Sequence, residues 1–504
     1  MSRARSAALA VVLTVSCTEF PNEPTKTVSV RPASAAWTQE WFVRDTGTLT
    51  IEVKLPDSTP VAGLNVEWQS DDPAVLEVTE IPPGGTSLRD SLTVQLRAKA
   101  TAWARGRARV TVVVEGVGAF EQVRDTGTIT VHERWRAISA GATHTCAIAA
   151  DSSAYCWGQG LFGALGNGRD LQSPIPVAVI TLGALKFLSI SAGEDNSCGI
   201  IVQGVIYCWG SGANGRLGNG DGSLRSQLTP TPLVGGLTYQ NLAAGRASCG
   251  IAGVIAYCWG DDSDKQLGFQ EAGTDTLDRC LGIRNCAFTP RVVTSNANDY
   301  AMIDVGPSHT CAVSRATPGR PFCWGTGARG ALGAGPATTV RITPIEVLGV
   351  LNLRQVSAGG EHTCGVAQSG GRAYCWGNNN HGQLGNGTTA DTSAPVMVAA
   401  IPLFDSITSG RQHTCGLAGT VAYCWGQGSA GQLGDSSLVD RPTLVAVRGG
   451  LSFASLSAGD SYTCGVTARG AAFCWGSNAT GQLGSVDVPV GGNRSTPARV
   501  SEPN

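Results

Sequence analysis

Several ingredients are scarce in this 504-residue chain. Charged residues make up 15% and net charge is −2, so no broad cationic face is available for phosphate contacts, and nucleic acid is not expected as a partner. There are six histidines and three methionines. No Cys-x-x-Cys, Gly-x-Ser-x-Gly or His-Glu-x-x-His occurs, and no Gly-Lys-Ser/Thr follows a glycine-rich loop. Those absences leave no redox pair, hydrolase elbow, zinc-protease helix or phosphate loop to build on. No run of 18 apolar residues appears, so no membrane-spanning helix is expected. No segment keeps a 3.6-residue period either. Turn-rich β structure is the remaining reading. Glycine supports it, with 67 residues, about twice the usual ~7% share.

The chain opens with "MSRARSAALAVVLTVSC". A basic stretch with Arg3 and Arg5 precedes a short apolar run, Ala7 to Val15, which has the shape of an export signal. Ser16 and Cys17 follow. This resembles a bacterial lipoprotein signal, although Thr14 stands where that family has leucine. The resemblance implies lipidation of Cys17, a leader over 1–16 and a polar tether over 17–26. The expected location is the bacterial cell envelope, by lipid anchor, or the exterior.

Residues 27–132 carry no cysteine and alternate apolar with polar positions, as in "TLTIEVKL" (48–55), "SLTVQLRAK" (91–99) and "RARVTVVVE" (107–115). About seven short strands separated by turns predict a β-sandwich. Trp68, Ser70, Asp72, Pro73, Ala104, Gly106 and Ala108 resemble the pattern of group-two bacterial immunoglobulin-like domains. That resemblance implies a surface spacer, with Trp68 in its core.

From residue 133 to 504 the chain repeats. Cys-Trp-Gly begins at Cys156, Cys208, Cys258, Cys323, Cys375, Cys424 and Cys474, in steps of 52, 50, 65, 52, 49 and 50 residues. Four short strands recurring seven times predict a seven-bladed β-propeller, so the expected fold class is all-β throughout. Whether a terminal strand completes another blade is not fixed by the pattern. The fifth unit resembles the regulator-of-chromosome-condensation repeat at Gly359, His362, Thr363, Trp376, Gly377, Asn378, Gly382, Gln383, Leu384 and Gly385. The repeated tryptophan is expected to pack between blades.

Each unit holds two cysteines: Cys146/Cys156, Cys198/Cys208, Cys249/Cys258, Cys311/Cys323, Cys364/Cys375, Cys415/Cys424 and Cys464/Cys474. Their separation varies while flanking residues stay in phase, which places the thiols opposite each other on adjacent strands. A zinc set with His144, His309, His362 and His413 fails, because three units keep both cysteines without the histidine. Export favours oxidation. With Cys280/Cys286 as an eighth pair and Cys17 for lipid, all 17 cysteines are used.

No active site, metal site or cofactor is expected. Asp261, Asp262, Asp264, Glu271, Asp275 and Asp278 form one acidic cluster in the third unit. Its loop, read as running from Asp261 to Thr289, is the candidate wall of a binding site. Residues 265–286 are expected to be removable without loss of core. The favoured function is a non-enzymatic, monomeric binding module for an unidentified protein or glycan, displayed on the immunoglobulin-like stalk. The alternatives are a regulator of another protein, as the repeat family's exchange-factor and inhibitor members imply, and a secreted enzyme acting on glycans.

Overall fold

The computed structural model describes residues 11–16, 26–28, 37–42, 46–54, 65–81, 93–102, 105–117 and 120–503, with breaks at 182–184, 271–277, 281–282, 296–298, 317–318, 337, 350 and 400–401. The chain divides into two compact units, residues 1–134 and 135–504.

Among its described residues the first unit has nine strands in two sheets. One sheet has the order Lys26–Val28, Val11–Ser16, Thr46–Lys54, Thr93–Ala102, Leu76–Ile81; the other runs Trp37–Phe42, Phe120–His132, Gly106–Val117, Asn65–Ser70. Of the alternating segments singled out above, residues 48–54, 93–99 and 107–115 lie within strands of these sheets, and Leu55, Ser91 and Leu92 lie outside the described residues. The apolar stretch read as a leader supplies the strand Val11–Ser16, and Cys17 lies outside the described residues. Trp68 is buried. After it the chain turns at Asp72, whose Oδ1 accepts the amides of Ala74 and Val75 at 3.2 and 3.3 Å.

Among the described residues the second unit is seven sheets, six of four consecutive strands and the third of five, its added strand on the outer edge. Blade one comprises Trp135–Ala140, His144–Ala149, Ala154–Gly158 and Ser173–Ala178. Blades two to seven begin at Phe187, Asn241, Tyr300, Leu353, Ser406 and Phe453. Because each sheet draws its strands from one stretch of chain, no strand among the described residues is exchanged to shut the ring. Side chains do this instead. Between blades seven and one, Thr145 Oγ1 donates to Gln482 O at 2.8 Å, Trp157 Nε1 donates to the same carbonyl at 3.0 Å, and Ala140 N donates to Ser457 Oγ at 2.9 Å.

Strands two and three pair with the two cysteines directly opposite, as in Cys364↔Cys375. All eight disulfides foreseen within the propeller are present, the seven blade pairs at Cα separations of 4.1–4.2 Å. Each closes a loop of about ten residues, worth roughly 2–3 kcal/mol in the chain-entropy picture. One residue later the register with strand four slips between Cys375 and Gly377. The residue in that irregularity is Trp376, and the same slip recurs at each blade's tryptophan. A bulge re-aims its side chain, here into the gap between blades. Gly377 follows at φ +107, where a Cβ would lie 2.5 Å from Glu361 O, so glycine is required by both conformation and space.

Blade three departs from the others. Its long connection is not one loop: Asp278–Cys280 forms a fifth strand against Ile283–Val292, and the Cys280–Cys286 bridge clips the two together. Strand four therefore begins at Ile283, earlier than the repeat pattern suggests. The reading of 265–286 as removable is also wrong, because Leu267 and Phe269 are buried in the core and Gln266 O is bonded by the next blade.

Candidate binding face

Antiparallel order puts the one–two turns and the three–four loops of every blade on one face. Strand one is innermost. The turn after it supplies three residues per blade to an axial cavity of about 200 Å³. The inner wall is alanine and glycine in five blades, as in Ala140–Gly141 and Ala358–Gly359, with Val305 and Ser409 replacing the alanine in the other two. Glycine is forced there by the approach of adjacent blades: a Cβ on Gly410 would lie 2.4 Å from Gly459 O. The rim varies from blade to blade, with Ala142, Glu194, Arg246, Pro307, Gly360, Arg411 and Asp460. Arg411 pairs with Asp460 at 3.2 Å, and Arg216 and Arg246 approach Glu194 at 3.1 and 3.7 Å.

Outside the rim lie the tips of the three–four loops. In blades three, five, six and seven a glutamine side chain accepts the tip amide: Gln266 from Asp264, Gln383 from His381, Gln432 from Ala430 and Gln482 from Thr480, at 2.8–3.0 Å. Blades one, two and four have Ala164, Arg216 and Ala331 at that position. Their tips, Phe162, Asn214 and Arg329, take left-handed φ of 62°, 54° and 55°. One side-chain acceptor thus selects between two tip conformations. The asparagine that orders the blade-five loop is Asn379, which accepts Leu384 N at 3.0 Å, one position beyond the Asn378 to which the motif was matched.

The repeat's histidines are not free for chemistry. His144, His309, His362 and His413 are fully buried. Each places Nε2 at 2.8–2.9 Å from the hydroxyl of Ser197, Thr363, Thr414 or Thr463 in the next blade. Those hydroxyls donate onward to backbone carbonyls, for example Thr414 Oγ1 to Gln383 O at 2.9 Å, so Nε2 must carry the proton. Burial lowers the imidazole pKa to about 4 at His144 and His309 and to about 3 at His362 and His413. The same carbonyl that accepts the hydroxyl accepts the indole, as with Trp425 Nε1 to Gln383 O at 2.9 Å. All seven repeat tryptophans are fully buried.

The acidic cluster does not assemble. Asp261 is buried beside Arg246, 3.0 Å from its guanidinium. Asp262 accepts Leu267 N at 3.0 Å, and burial raises its pKa to about 6. Asp264 receives the Thr326 hydroxyl at 3.2 Å. Asp278 takes Phe288 N at 2.7 Å, which ties the added strand down. Glu271 and Asp275 lie outside the described residues. Among the described residues no group of three His, Cys, Asp or Glu side chains could hold a metal ion. Sequence reasoning missed the rim residues. Their signal was available as the position directly after the "SAG"-like triplet, which takes six residue types in seven repeats.

The profile of the regulator of chromosome condensation (RCC1) repeat matches residues 151–200, 203–251, 318–366, 370–417 and 421–466, and a second profile of the repeat matches 135–164, 353–383 and 453–482. The ultraviolet-B receptor UVR8 of Arabidopsis thaliana is 31% identical over 290 residues, covering 56% of this chain and 62% of its own. The human E3 ubiquitin-protein ligase HERC2 is 28% identical over 272 residues, covering 53% of this chain and 5% of its own. The chain thus spans less than two thirds of these relatives. Yeast RCC1 (Prp20), solved with Kap60 bound, superposes with a TM-score of 0.58 at 19% identity, over 73% of this chain and 84% of that one. Human WBSCR16 superposes with a TM-score of 0.57 at 17% identity, over 70% of this chain and 93% of that one. At such identity the superpositions speak for the fold alone.

Proposed function

This chain belongs to the RCC1-repeat proteins, and from that premise we propose that it is an exported, non-enzymatic binding module whose loop face engages a protein partner. One observation carries the reading: the positions held constant through the repeats are spent on bonds within and between blades, while the positions that vary crowd the loop face around the axial mouth. The repeat's four histidines, fourteen cysteines and seven tryptophans, the residues with most chemistry to offer, are buried. Binding residues concentrate on loops that a rigid scaffold holds. Eight disulfides favour an oxidising compartment.

The finer parts of the proposal are these. Cys17 carries the lipid anchor, the first unit is an immunoglobulin-like stalk, and the clipped strand of blade three walls one side of the binding face. A second reading, that the module regulates its partner, is favoured by its likeness to the ultraviolet-B receptor UVR8. The test compares crosslinking of the full chain in envelope extract with that of a Glu194→Ala/Arg411→Ala rim variant. A partner lost from the variant, with the melting temperature kept, supports the loop face. A partner retained at full yield refutes it.

A further inference from the structure

The loop face is not uniform around its axis. Around the rim, Asp460 and Glu194 flank the small Ala142 of blade one, and on the far side of each acid an arginine holds it: Arg411 on Asp460, Arg246 on Glu194. These contacts, with that of Arg216, use Asp460 Oδ2 and Glu194 Oε2, and among the described residues no side chain bonds Asp460 Oδ1 or Glu194 Oε1. The two carboxylates sense one another across blade one. Burial raises the Asp460 pKa above the ordinary range, Arg411 lowers it, and the Glu194 charge raises it again. Arg216 is nine-tenths buried beside Glu194 and Asp195, at 3.1 and 3.6 Å, and its Nε has no hydrogen-bond partner among the described residues.

The same blade exposes apolar side chains on its three–four loop. Leu161 is 47% exposed, Phe162 46% and Leu171 66%. Phe162 also has φ +62, a conformation that costs an L-residue about 1–2 kcal/mol. Blade one, like blades two and four, lacks the glutamine that would hold the tip otherwise, and of the three tips it alone carries an aromatic side chain. Strain that presents a phenyl ring to water does nothing for stability, and such strain gathers at functional sites.

We propose that the blade-one sector of the loop face docks a partner polypeptide through one lysine or arginine side chain flanked by apolar residues. The cation enters between Glu194 and Asp460, and its neighbours cover Leu161, Phe162 and Leu171. Charge complementarity selects the cation, because each rim arginine already faces a carboxylate while each of these carboxylates keeps one oxygen for a ligand. Exposed aromatic and aliphatic side chains supply the anchor that a lone ion pair lacks. This inference rests on the loop face being the binding face.

The test titrates the full chain with two acetylated, amidated peptides, Gly-Leu-Lys-Phe-Gly and Gly-Leu-Glu-Phe-Gly, and maps the contact by hydrogen exchange. The lysine peptide should bind at least tenfold more tightly, about 1.4 kcal/mol. Glu194→Gln with Asp460→Asn should erase that preference, and Phe162→Ser should weaken both peptides, with the melting temperatures unchanged. No binding of the lysine peptide, or a preference that survives the double substitution, overturns the proposed sector. Protection confined to the two–three hairpin tips overturns the loop-face reading as well.

Discussion

Between blades five and six, His362 lies 2.9 Å from the Thr414 hydroxyl and Ser357 Oγ accepts Ser409 N at 3.0 Å. Between blades three and four, Ala247 and Ala243 occupy the corresponding positions, and alanine can make neither bond. What both seams share is the indole. Trp425 donates to Gln383 O and Trp324 to Gln266 O, each at 2.9 Å, and Thr414 and Thr310 donate to the same carbonyls. Each seam also keeps one amide side chain from strand one, Gln355 accepting Ile407 N and Asn241 accepting Ile303 N, both at 3.1 Å. The repeat thus has two layers of fastening. Tryptophan on a carbonyl closes the ring, and histidine and serine reinforce it. The profile matches leave out 252–317, which takes in most of the weaker seam.

Acid should erase the contrast, and this is the largest effect expected. The four buried histidines stay neutral in the folded chain, whereas an unfolded histidine takes up its proton near 6.5. A depressed pKa contributes stability that is present above 6.5 and is lost as pH falls toward 3–4. Every tenfold loss of proton affinity on folding is worth about 1.4 kcal/mol, so four sites together outweigh any single substitution. Asp304 works in the opposite sense. Burial raises its pKa to about 6, so its contribution is present below 3.8 and is lost as pH rises through 6. Denaturant midpoints measured between pH 7 and 4 should therefore fall, and the five–six seam should lose more protection than the three–four seam. A midpoint that does not move over this range would contradict the four histidines being buried in neutral form.

Removing an indole should cost the same at both seams. Trp425→Ala and Trp324→Ala each empty a fully buried site, which typically costs about 3–5 kcal/mol. Urea unfolding that ranks one far above the other would show that the indole is not the common fastener. The smallest effects sharpen the second layer. Ser357→Ala should lose about 0.5–1.5 kcal/mol, and Ala243→Ser, which offers an acceptor to blade four, should gain a similar amount. Equal and near-zero changes in both would make the hydroxyl staple irrelevant.

Much of this was legible from sequence because it is local. The seven units, their strands and the pairing of Cys364 with Cys375 follow from residues about ten apart whose neighbours keep phase. The burial of the tryptophans was legible for the same reason. The bonds between blades were not, since His362 and Thr414 are one whole repeat apart and only ring closure brings them together. The acidic run of blade three misled for a physical reason. Asp262 lies where Asn379 caps its loop, so a carboxylate that looks available in sequence is consumed by Leu267 N. Blade three's extra strand was read as loop because Asp278–Cys280 is three residues long and gains its pairing from the hairpin alone.

The most direct test of the two layers is hydrogen exchange on the full chain at pH 7, reading strand-one peptides from blade four (Tyr300–Val305) and blade six (Ser406–Ser409). Local opening tracks the bonds that must break. The blade-four strand should exchange at least tenfold faster than the blade-six strand, and the gap should narrow at pH 5. Equal protection at pH 7, or faster exchange in blade six, would contradict the division of the repeat into a fastening indole and a reinforcing histidine and serine.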